Sequence, residues 1–222
     1  MDKPTARAEP VQPLADAGIV TIAPVVPQPK NGHSRQASQQ LTDGFDVTLP
    51  AAVQSPDGRG QPIPPIGFSV LEDGLEDALS LMHADRGNIQ IADPFTGSLV
   101  LVMQTGFSDE FLEYFAVVDD DGSACGRTAS QHAQTVIGDV NTDAGFAPHR
   151  EIAAASRFRA VHSTPLVDPS GQLIGVLSTH YPRPYLPPAR DLGLMRRLGG
   201  LIGEAFETSV SDGEPGDDQA AS

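Results

Sequence analysis

The sequence predicts an α+β domain: a central, largely antiparallel sheet with its first and last helices on one face, leaving the other face free for a pocket. Three features of the 222-residue chain indicate this arrangement. One amphipathic helical segment opens the candidate domain and another closes it. Between them lie two strand–turn–strand segments whose turns are short, and short turns join only antiparallel neighbours.

Apolar residues at helical spacing predict the two terminal helices. The first helix has one apolar face and should end at residues 85–87; that face consists of Leu71, Leu75, Ala78, Leu79 and Met82. The last helix, over residues 188–208, has a broader apolar stripe, which consists of Leu194, Met195, Leu198, Leu201, Ile202, Ala205 and Phe206. Together the two faces offer more apolar surface than one sheet covers, so we expect these helices to contact a second copy or a partner protein.

Two β-hairpins are predicted between the helices. Residues 88–93 and 98–105 flank a turn that contains Pro94 and Gly97. The second hairpin joins two strands by a four-residue turn with Pro and Gly in the positions that a type I turn favours. The predicted segments are strands over residues 159–167, 172–181 and 135–139 and short helices over residues 109–117, 124–131 and 149–156.

Composition divides the chain into a folded domain over residues 65–208 and two terminal segments. Residues 1–64 contain ten prolines among Gln, Ser, Ala and Gly, a composition that predicts mostly disorder. Within them, the apolar stretches 19–26 and 45–53 could add an edge strand or dock on a partner. Residues 209–222 are predicted to be a disordered acidic tail.

Charge and residue usage exclude several classes of function. The net charge of -15 would repel nucleic acid and anionic lipid. Because the chain has neither an apolar run of about 18 residues nor the apolar core of a signal peptide, we expect a cytoplasmic protein without a membrane partner. A single cysteine excludes an internal disulfide and a cysteine-based zinc site, and no histidine pair has helical metal-ligand spacing. The sequence assigns no cofactor and leaves open the alternative of a haem bound through His149 or His180.

Six motifs follow one another in the candidate domain. They are A-D-x-G-N-I-Q (84–90), T-G-F-S-D-E-F-L (105–112), G-S-A-C-G (122–126), F-A-P-H-R (146–150), F-R-A-V-H-S-T-P-L (158–166) and G-V-L-S-T-H (175–180). In this order they resemble a bacterial GAF domain of the kind attached to sensor kinases and related signalling proteins, over residues 66–208. The resemblance implies a six-stranded antiparallel sheet and a small-molecule cavity, and it leaves the ligand open.

The register of the second hairpin predicts which residues face the cavity. Pairing Asp168 with Gly171 places Leu166 opposite Leu173 and Ser163 opposite Val176. Alternation then sorts the side chains into two faces. One face holds Val161, Ser163, Pro165, Ile174, Val176, Ser178 and His180, and the other holds His162, Thr164, Leu166, Leu173, Leu177, Thr179 and Tyr181.

Polar residues among aliphatic ones on the first of these faces suit a ligand pocket, so we assign Ser163, Ser178 and His180 to it. The alternative is that they satisfy one another and the nearby backbone. Phe107 and Phe146 are expected to close the pocket.

His149 and Arg150 follow a polar loop that could cover the pocket, where they could bind a carboxylate or phosphate. Alternatively, Pro148 begins a helix, and His149 and Arg150 pair with acidic residues such as Asp143.

Cys125 also allows two interpretations. It lies at the start of a predicted short helix, whose positive end would lower the pKa of the thiol and make it reactive. The alternative is a buried, inert residue that packs under the lid.

Two functions remain open. The first is a non-catalytic sensor of a small molecule or redox signal, acting through a homodimer or a signalling partner such as a histidine kinase or response regulator. The second is an enzyme similar to free methionine-R-sulfoxide reductase that uses Cys125. The resemblance to that enzyme is incomplete, because residues 140–162 contain no second cysteine, and Val161, Ser178 and His180 stand where its acidic pocket residues are expected. The sensor is therefore the favoured interpretation.

Overall fold

The computed structural model describes Val20–Thr21 and residues 65–211. The predicted disorder of residues 1–64 and 209–222 falls almost entirely outside these ranges, and the domain boundaries stay predictions. Val20–Thr21 forms a short edge strand, β1, which pairs with a strand of the central sheet. This position matches the edge-strand alternative for residues 19–26.

The elements follow the predicted order of helix, hairpin, short helices, hairpin and helix. The five helices are α1 (Pro65–Met82), α2 (Asp109–Tyr114), α3 (Ala124–Gln131), α4 (Arg150–Ala155) and α5 (Ala189–Ser211). The strands after β1 are β2 (Arg86–Ala92), β3 (Leu99–Thr105), β4 (Val117–Val118), β5 (Thr135–Ile137), β6 (Ala160–Val167) and β7 (Leu173–Tyr181). β4 was not predicted: its first residue, Val117, was included in the helix expected over residues 109–117, and Val118 was assigned to no element.

All strand pairs in the described sheet are antiparallel, in the order β1-β3-β2-β7-β6-β5. β4 also pairs with β3, at Leu99 and Val100, whereas β1 pairs at Met103 and Gln104. The two short strands therefore share one edge of β3, so the sheet has six strand positions. The α+β prediction, with about six antiparallel strands, is confirmed.

α1 and α5 lie together on one face of this sheet, as predicted. Leu71 and Leu75 are fully buried there and join Met195, Ile202 and Phe206 in one hydrophobic cluster. A Cβ atom added at Gly74 would lie 2.6 Å from Ile202 Cδ1, so the glycine permits this close approach of the helices. Because Leu71 and Leu75 belong to the core, they cannot contribute to an intermolecular contact, and that part of the expectation is wrong.

The buried stripe of α5 differs from the one expected. Leu201 is 63% exposed, and Leu194 and Leu198 are only partly buried. Gly199 and Gly203 are buried instead, because the helix lies so close to β6 that added Cβ atoms would meet the carbonyl oxygens of Pro165 and Val167. These two glycines therefore allow α5 to pack closely against the sheet.

The predicted register of the second hairpin is shifted by two residues, yet its effect on the faces is small. The Gly171 amide donates to the Asp168 carbonyl, which confirms the turn, but Asp168 pairs with Gln172 because Gly171 takes a positive φ of 87°. A bulge at Leu166/Val167 adds the second one-residue shift and places Ser163 opposite Ser178. Because side chains alternate between the faces of a strand with a period of two residues, two one-residue shifts leave the side chains beyond the bulge on their predicted faces.

Only the residues near the turn change face. Ile174 packs with the helix-side cluster and Leu173 with the opposite cluster, the reverse of the prediction. From Val176 to His180 the predicted pocket face is retained, because Val176 and Val161 belong to the cluster on that side.

Candidate functional site

A small enclosed cavity lies on the sheet face opposite α1 and α5. Its volume is about 20 Å³, which is room for about one water molecule. Strands β2, β6 and β7 form its floor, and α2, α3 and the segment before α4 cover it. The lining residues are Asn88, Gln90, Phe111, Phe115, Ser123, Ala124, Cys125, Phe146, Phe158, Val161, Ser178 and His180.

Four of the eight predicted site residues line this cavity: Cys125, Phe146, Ser178 and His180. Ser163 lies one strand further along, and its hydroxyl is 2.7 Å from that of Ser178. Phe107 stacks on Phe111, with 3.7 Å between the ring centroids, and so contacts the cavity wall from outside. The two serines satisfy each other, as the alternative interpretation expected.

The side chains of His149 and Arg150 are engaged elsewhere. His149 Nε2 lies 3.2 Å from Asp120 Oδ1, and its Nδ1 lies 3.1 Å from the Tyr114 hydroxyl. Arg150 donates to the backbone carbonyls of Val140 (3.1 Å) and Asp143 (2.8 Å). Neither side chain lines the cavity, so no cationic group is available there for a carboxylate or phosphate.

Two acidic residues fix the loops over the cavity. Burial opposes the ionised form of Asp120, but the Ser123 and Gly122 amides and His149 outweigh that effect and lower its pKa. Asp143 accepts two hydrogen bonds from Arg127, which hold the pKa of its carboxyl below the ordinary value. The predicted pairing with acidic residues is therefore found for His149, whereas Asp143 binds Arg150 only through its carbonyl.

Cys125 is buried in the first turn of α3. Burial raises the pKa of its thiol to about 11, despite the Ser123 hydroxyl 3.4 Å from the sulfur. The side chain of Ser123 caps the helix by accepting from the Gly126 amide. The inert, buried interpretation of Cys125 agrees with this geometry, and the lowered pKa expected at a helix start is not found.

His180 is enclosed by aromatic rings. Its ring makes edge contacts with Phe158, Phe107 and Phe111 at centroid distances of 4.7, 4.9 and 5.8 Å. Burial, assisted by the positive charge of Arg86, lowers the pKa of its imidazole to about 3. The ring is therefore neutral at pH 7, and its Nδ1 atom has no hydrogen-bond partner.

Two polar residues of the central strand β2 complete the cavity, and the sequence analysis missed both. Asn88 Oδ1 and Gln90 Oε1 are buried without a partner. In the sequence they alternate with Ile89 and Ile91, which would have indicated a strand with one polar and one apolar face. Asn88 lies opposite Ser178, and Ser178 opposite Ser163, so polar side chains cross the sheet in one row.

A much larger concavity lies elsewhere, at the end of the sheet where both hairpin turns are. Its volume is about 980 Å³, and it is an open groove bordered by the β2–β3 turn, residues 119–121 and the end of α5. None of the predicted site residues lines it. Asp93 Oδ2, in the lining of the groove, is also buried without a partner. We place the candidate site in the small cavity, because three of its lining residues, Asn88, Gln90 and His180, carry such atoms.

The described residues offer neither a metal site nor a membrane span. Within residues 65–211, no group of three or more His, Cys, Asp or Glu side chains is placed to hold a metal ion. No helix in that range is long and apolar enough to cross a membrane.

Comparison with known proteins identifies the family. The GAF domain model matches residues 69–206, which is more than half of the chain. The chain belongs to the GAF domain family. No significant match to a curated protein was found.

Solved structures that share the fold come from several contexts. A domain assigned to a two-component sensor histidine kinase of Sinorhizobium meliloti aligns with a TM-score of 0.52 and 20% identity, covering 64% of this chain and 91% of its own. A GAF domain/HD domain protein of Geobacter sulfurreducens aligns with a TM-score of 0.54 and 16% identity, over 66% and 95% of the two chains. Free methionine-R-sulfoxide reductase of Neisseria meningitidis, solved with its substrate, aligns with a TM-score of 0.50 and 19% identity, over 68% and 89%.

Proposed function

We propose that this domain is a non-catalytic sensor in bacterial cytoplasmic signal transduction. A small molecule binds in the enclosed cavity and changes how the terminal helices contact a second copy of the chain or a signalling partner such as a histidine kinase or response regulator. The same fold in a domain assigned to a two-component sensor histidine kinase supports the general role.

The observation that carries the proposal is the set of unpartnered polar atoms around the cavity. Asn88, Gln90 and His180 are each at least 95% buried, and each has one polar atom without a hydrogen-bond partner. A buried polar group without a partner destabilises a fold by about 1–3 kcal/mol. Three such groups around one cavity favour a ligand that supplies the missing partners.

The sheet offers a direct mechanical connection between the cavity and the helices. Strand β7 directs Ser178 and His180 to the cavity and Leu177 to the helix-side cluster. On that side, Gln134 donates to the Leu192 carbonyl of α5 at 2.9 Å and to Thr164 of β6 at 3.2 Å. A ligand can shift α5 only if it binds two arrangements of this sheet with different affinity.

The geometry of Cys125 supports a binding role over the alternative enzyme. A nucleophilic thiol must form a thiolate near neutral pH, whereas burial raises the pKa of this thiol to about 11. It is also the one cysteine of the sequence, so no resolving thiol is present in the chain. The fold shared with the reductase of Neisseria meningitidis does not supply these groups.

Native mass spectrometry of the purified chain tests the proposal, because it reports a retained small molecule and the number of subunits together. The Ala124→Leu variant fills the cavity from α3, and Ala129→Leu adds the same side chain on the same helix outside it. We expect a bound molecule in the natural chain and in Ala129→Leu, and no bound molecule in Ala124→Leu. We also expect the subunit contacts to differ between the chain with the molecule bound and the chain without it.

The enzyme alternative has its own test. Reduction of free methionine-R-sulfoxide by the chain with a thiol reductant, abolished by Cys125→Ser, would replace the sensor by the enzyme. Two negative results together would also contradict the sensor. The purified chain would retain no molecule, and its subunit contacts would not change when extracts of small molecules are added.

A further inference from the structure

The wall of the enclosed cavity carries no formal charge. Among its twelve lining residues there is no Asp, Glu, Lys or Arg. Its two titratable groups, Cys125 and His180, are both neutral at pH 7, because burial raises the pKa of the thiol to about 11 and lowers that of the imidazole to about 3. Two cations lie outside the wall: Arg150, the predicted one, and Arg86, whose charge acts on His180. Both donate to backbone carbonyls, Arg150 to those of Val140 and Asp143 and Arg86 to those of Ser156 and Arg157.

The unpartnered atoms on this wall are mainly acceptors. Gln90 Nε2 donates to the Phe115 carbonyl at 3.2 Å, which fixes the orientation of the amide and leaves Oε1 as a free acceptor. Asn88 Oδ1 is a second acceptor, two residues earlier on the same strand face. The free Nδ1 of the neutral His180 ring can accept or donate, depending on the tautomer.

The rest of the wall is apolar and aromatic. Phe111, Phe115, Phe146 and Phe158 surround the polar atoms, and all four rings are at most 5% exposed. Such a wall excludes water, so an ionic ligand would lose its hydration without contacting a lining residue of opposite charge. A ligand without charge avoids this loss.

We propose that the cavity binds an uncharged small molecule that donates hydrogen bonds, such as a carboxamide, a urea or an N–H heteroaromatic compound, and discriminates against carboxylates, phosphates and ammonium compounds. This inference depends on the proposed function, since it names the ligand class of the same cavity. The N–H groups of the ligand donate to Gln90 Oε1 and Asn88 Oδ1, and its apolar part contacts the phenylalanine rings.

The cavity as described is buried among residues that are at most 7% exposed. Its volume of about 20 Å³ accommodates a ligand larger than water only if part of the wall moves. The Phe107–Phe111 stack is at the start of α2, and Phe107 is only partly buried, so solvent reaches this part of the cover. Ligand entry therefore involves displacement of this stack.

A matched set of probes tests the charge preference. Acetamide, acetate and isopropylammonium have similar size and differ in charge, as do benzamide, benzoate and benzylammonium. Saturation-transfer NMR and thermal melting of the full chain at pH 7 would compare their binding. We expect the amides to bind at least tenfold more tightly than the charged members of each set.

Variants of Gln90 then test whether the preference for uncharged ligands arises in the cavity. Gln90→Leu removes the acceptor and should weaken benzamide binding at least tenfold. Thr179→Val removes a buried hydroxyl that contacts Tyr181 on the helix side of the sheet, and it should not weaken binding. Gln90→Glu places a carboxyl group at the same position, and an ammonium ligand favours the ionised form of that group. The preference should therefore shift from benzamide towards benzylammonium, a readout that loss of folding cannot produce.

The outcomes separate this inference from the proposed function. Tighter binding of benzoate or benzylammonium than of benzamide to the natural chain, sensitive to Gln90, overturns the inference and leaves the sensor in place. Binding of none of the six probes, together with no molecule retained in native mass spectrometry, overturns both. Benzamide binding that is unchanged in Gln90→Leu and Gln90→Glu overturns the inference alone.

Discussion

His162 and His180 are neutral residues enclosed on opposite faces of the sheet. Burial lowers the pKa of His162 to about 4, and that of His180 to about 3. Each has an ordinary pKa near 6.5 in the unfolded chain. Below about pH 6.5 the unfolded chain therefore binds protons that the folded domain does not bind. Because of this difference, the free energy of unfolding depends on pH.

We predict that stability falls as pH decreases below about 6.5. Above that pH both histidines are neutral in both states and contribute no pH dependence; below it each adds a loss of up to about 1.4 kcal/mol per pH unit until its folded pKa is reached. Urea unfolding at pH 7, 6 and 5 measures this slope. His180→Phe, which keeps a ring among the aromatic contacts, should remove about half of it; an unchanged slope in that variant would show that His180 is not the linked group.

A second residue-scale prediction concerns the thiol of Cys125. Because the side chain is 7% exposed and burial raises its pKa to about 11, we expect it to react with a maleimide or aromatic disulfide at pH 8 far more slowly than a free thiol does. In urea the rate should rise to that of an ordinary thiol. Immediate reaction of the folded chain would contradict the closed cavity and revive the reactive interpretation.

At the scale of elements, the position of α5 depends on glycines rather than on the leucines of its stripe. Gly203 lies so close to β6 that a Cβ atom would be 2.2 Å from the Val167 carbonyl oxygen. Gly193 belongs to the same helix, but nothing lies within 4 Å of a Cβ added there. Substitutions at the two positions therefore distinguish the effect of close packing against β6 from the effect of helix propensity.

We predict opposite effects of alanine at these two glycines. Gly193→Ala should stabilise the domain by up to about 1 kcal/mol, since alanine favours a helix over glycine by about that amount. Gly203→Ala should destabilise it by about 1–3 kcal/mol or more, because the helix must move away from β6. Chemical unfolding measures both; equal effects of the two substitutions would show that α5 is not held close to the sheet.

At the scale of the whole molecule, α5 leaves part of its apolar surface uncovered. Leu201 is 63% exposed, and Leu194 and Leu198, on the same helical face, are partly buried. The acidic residues Glu72, Asp73, Glu76 and Asp77 make the exposed side of α1 unsuitable for an apolar contact between copies. The leucine side of α5 is the better candidate for the predicted dimer.

We predict that Leu201→Glu converts a dimer into a monomer without loss of stability. An exposed leucine contributes little to the fold, so the melting temperature should stay within a few degrees. Light scattering with size-exclusion chromatography measures the subunit number, and Glu204→Gln, one turn away, serves as the control. A natural chain that is monomeric at high concentration would refute the contact, as would a Leu201→Glu variant that remains dimeric.

The sequence by itself determined the order of elements and the fold class. Helical spacing located α1 from Leu71, Leu75 and Met82, because one buried face leaves a local pattern in the sequence. Strand alternation placed Ser178 and His180 on the cavity face, since a register error of two residues does not change the face. The ordered motifs supplied the family that the comparison confirmed.

Tertiary structure alone decided the chemistry of the cavity. The partners of Arg150 are backbone carbonyls that come close only when the loop before α4 folds, and no spacing in the sequence indicates them. The neutrality of Cys125 and His180 follows from burial by residues distant in sequence, among them Phe111 and Phe158. Helix and strand periodicity is a local property, whereas desolvation and hydrogen-bond satisfaction depend on which distant segments meet.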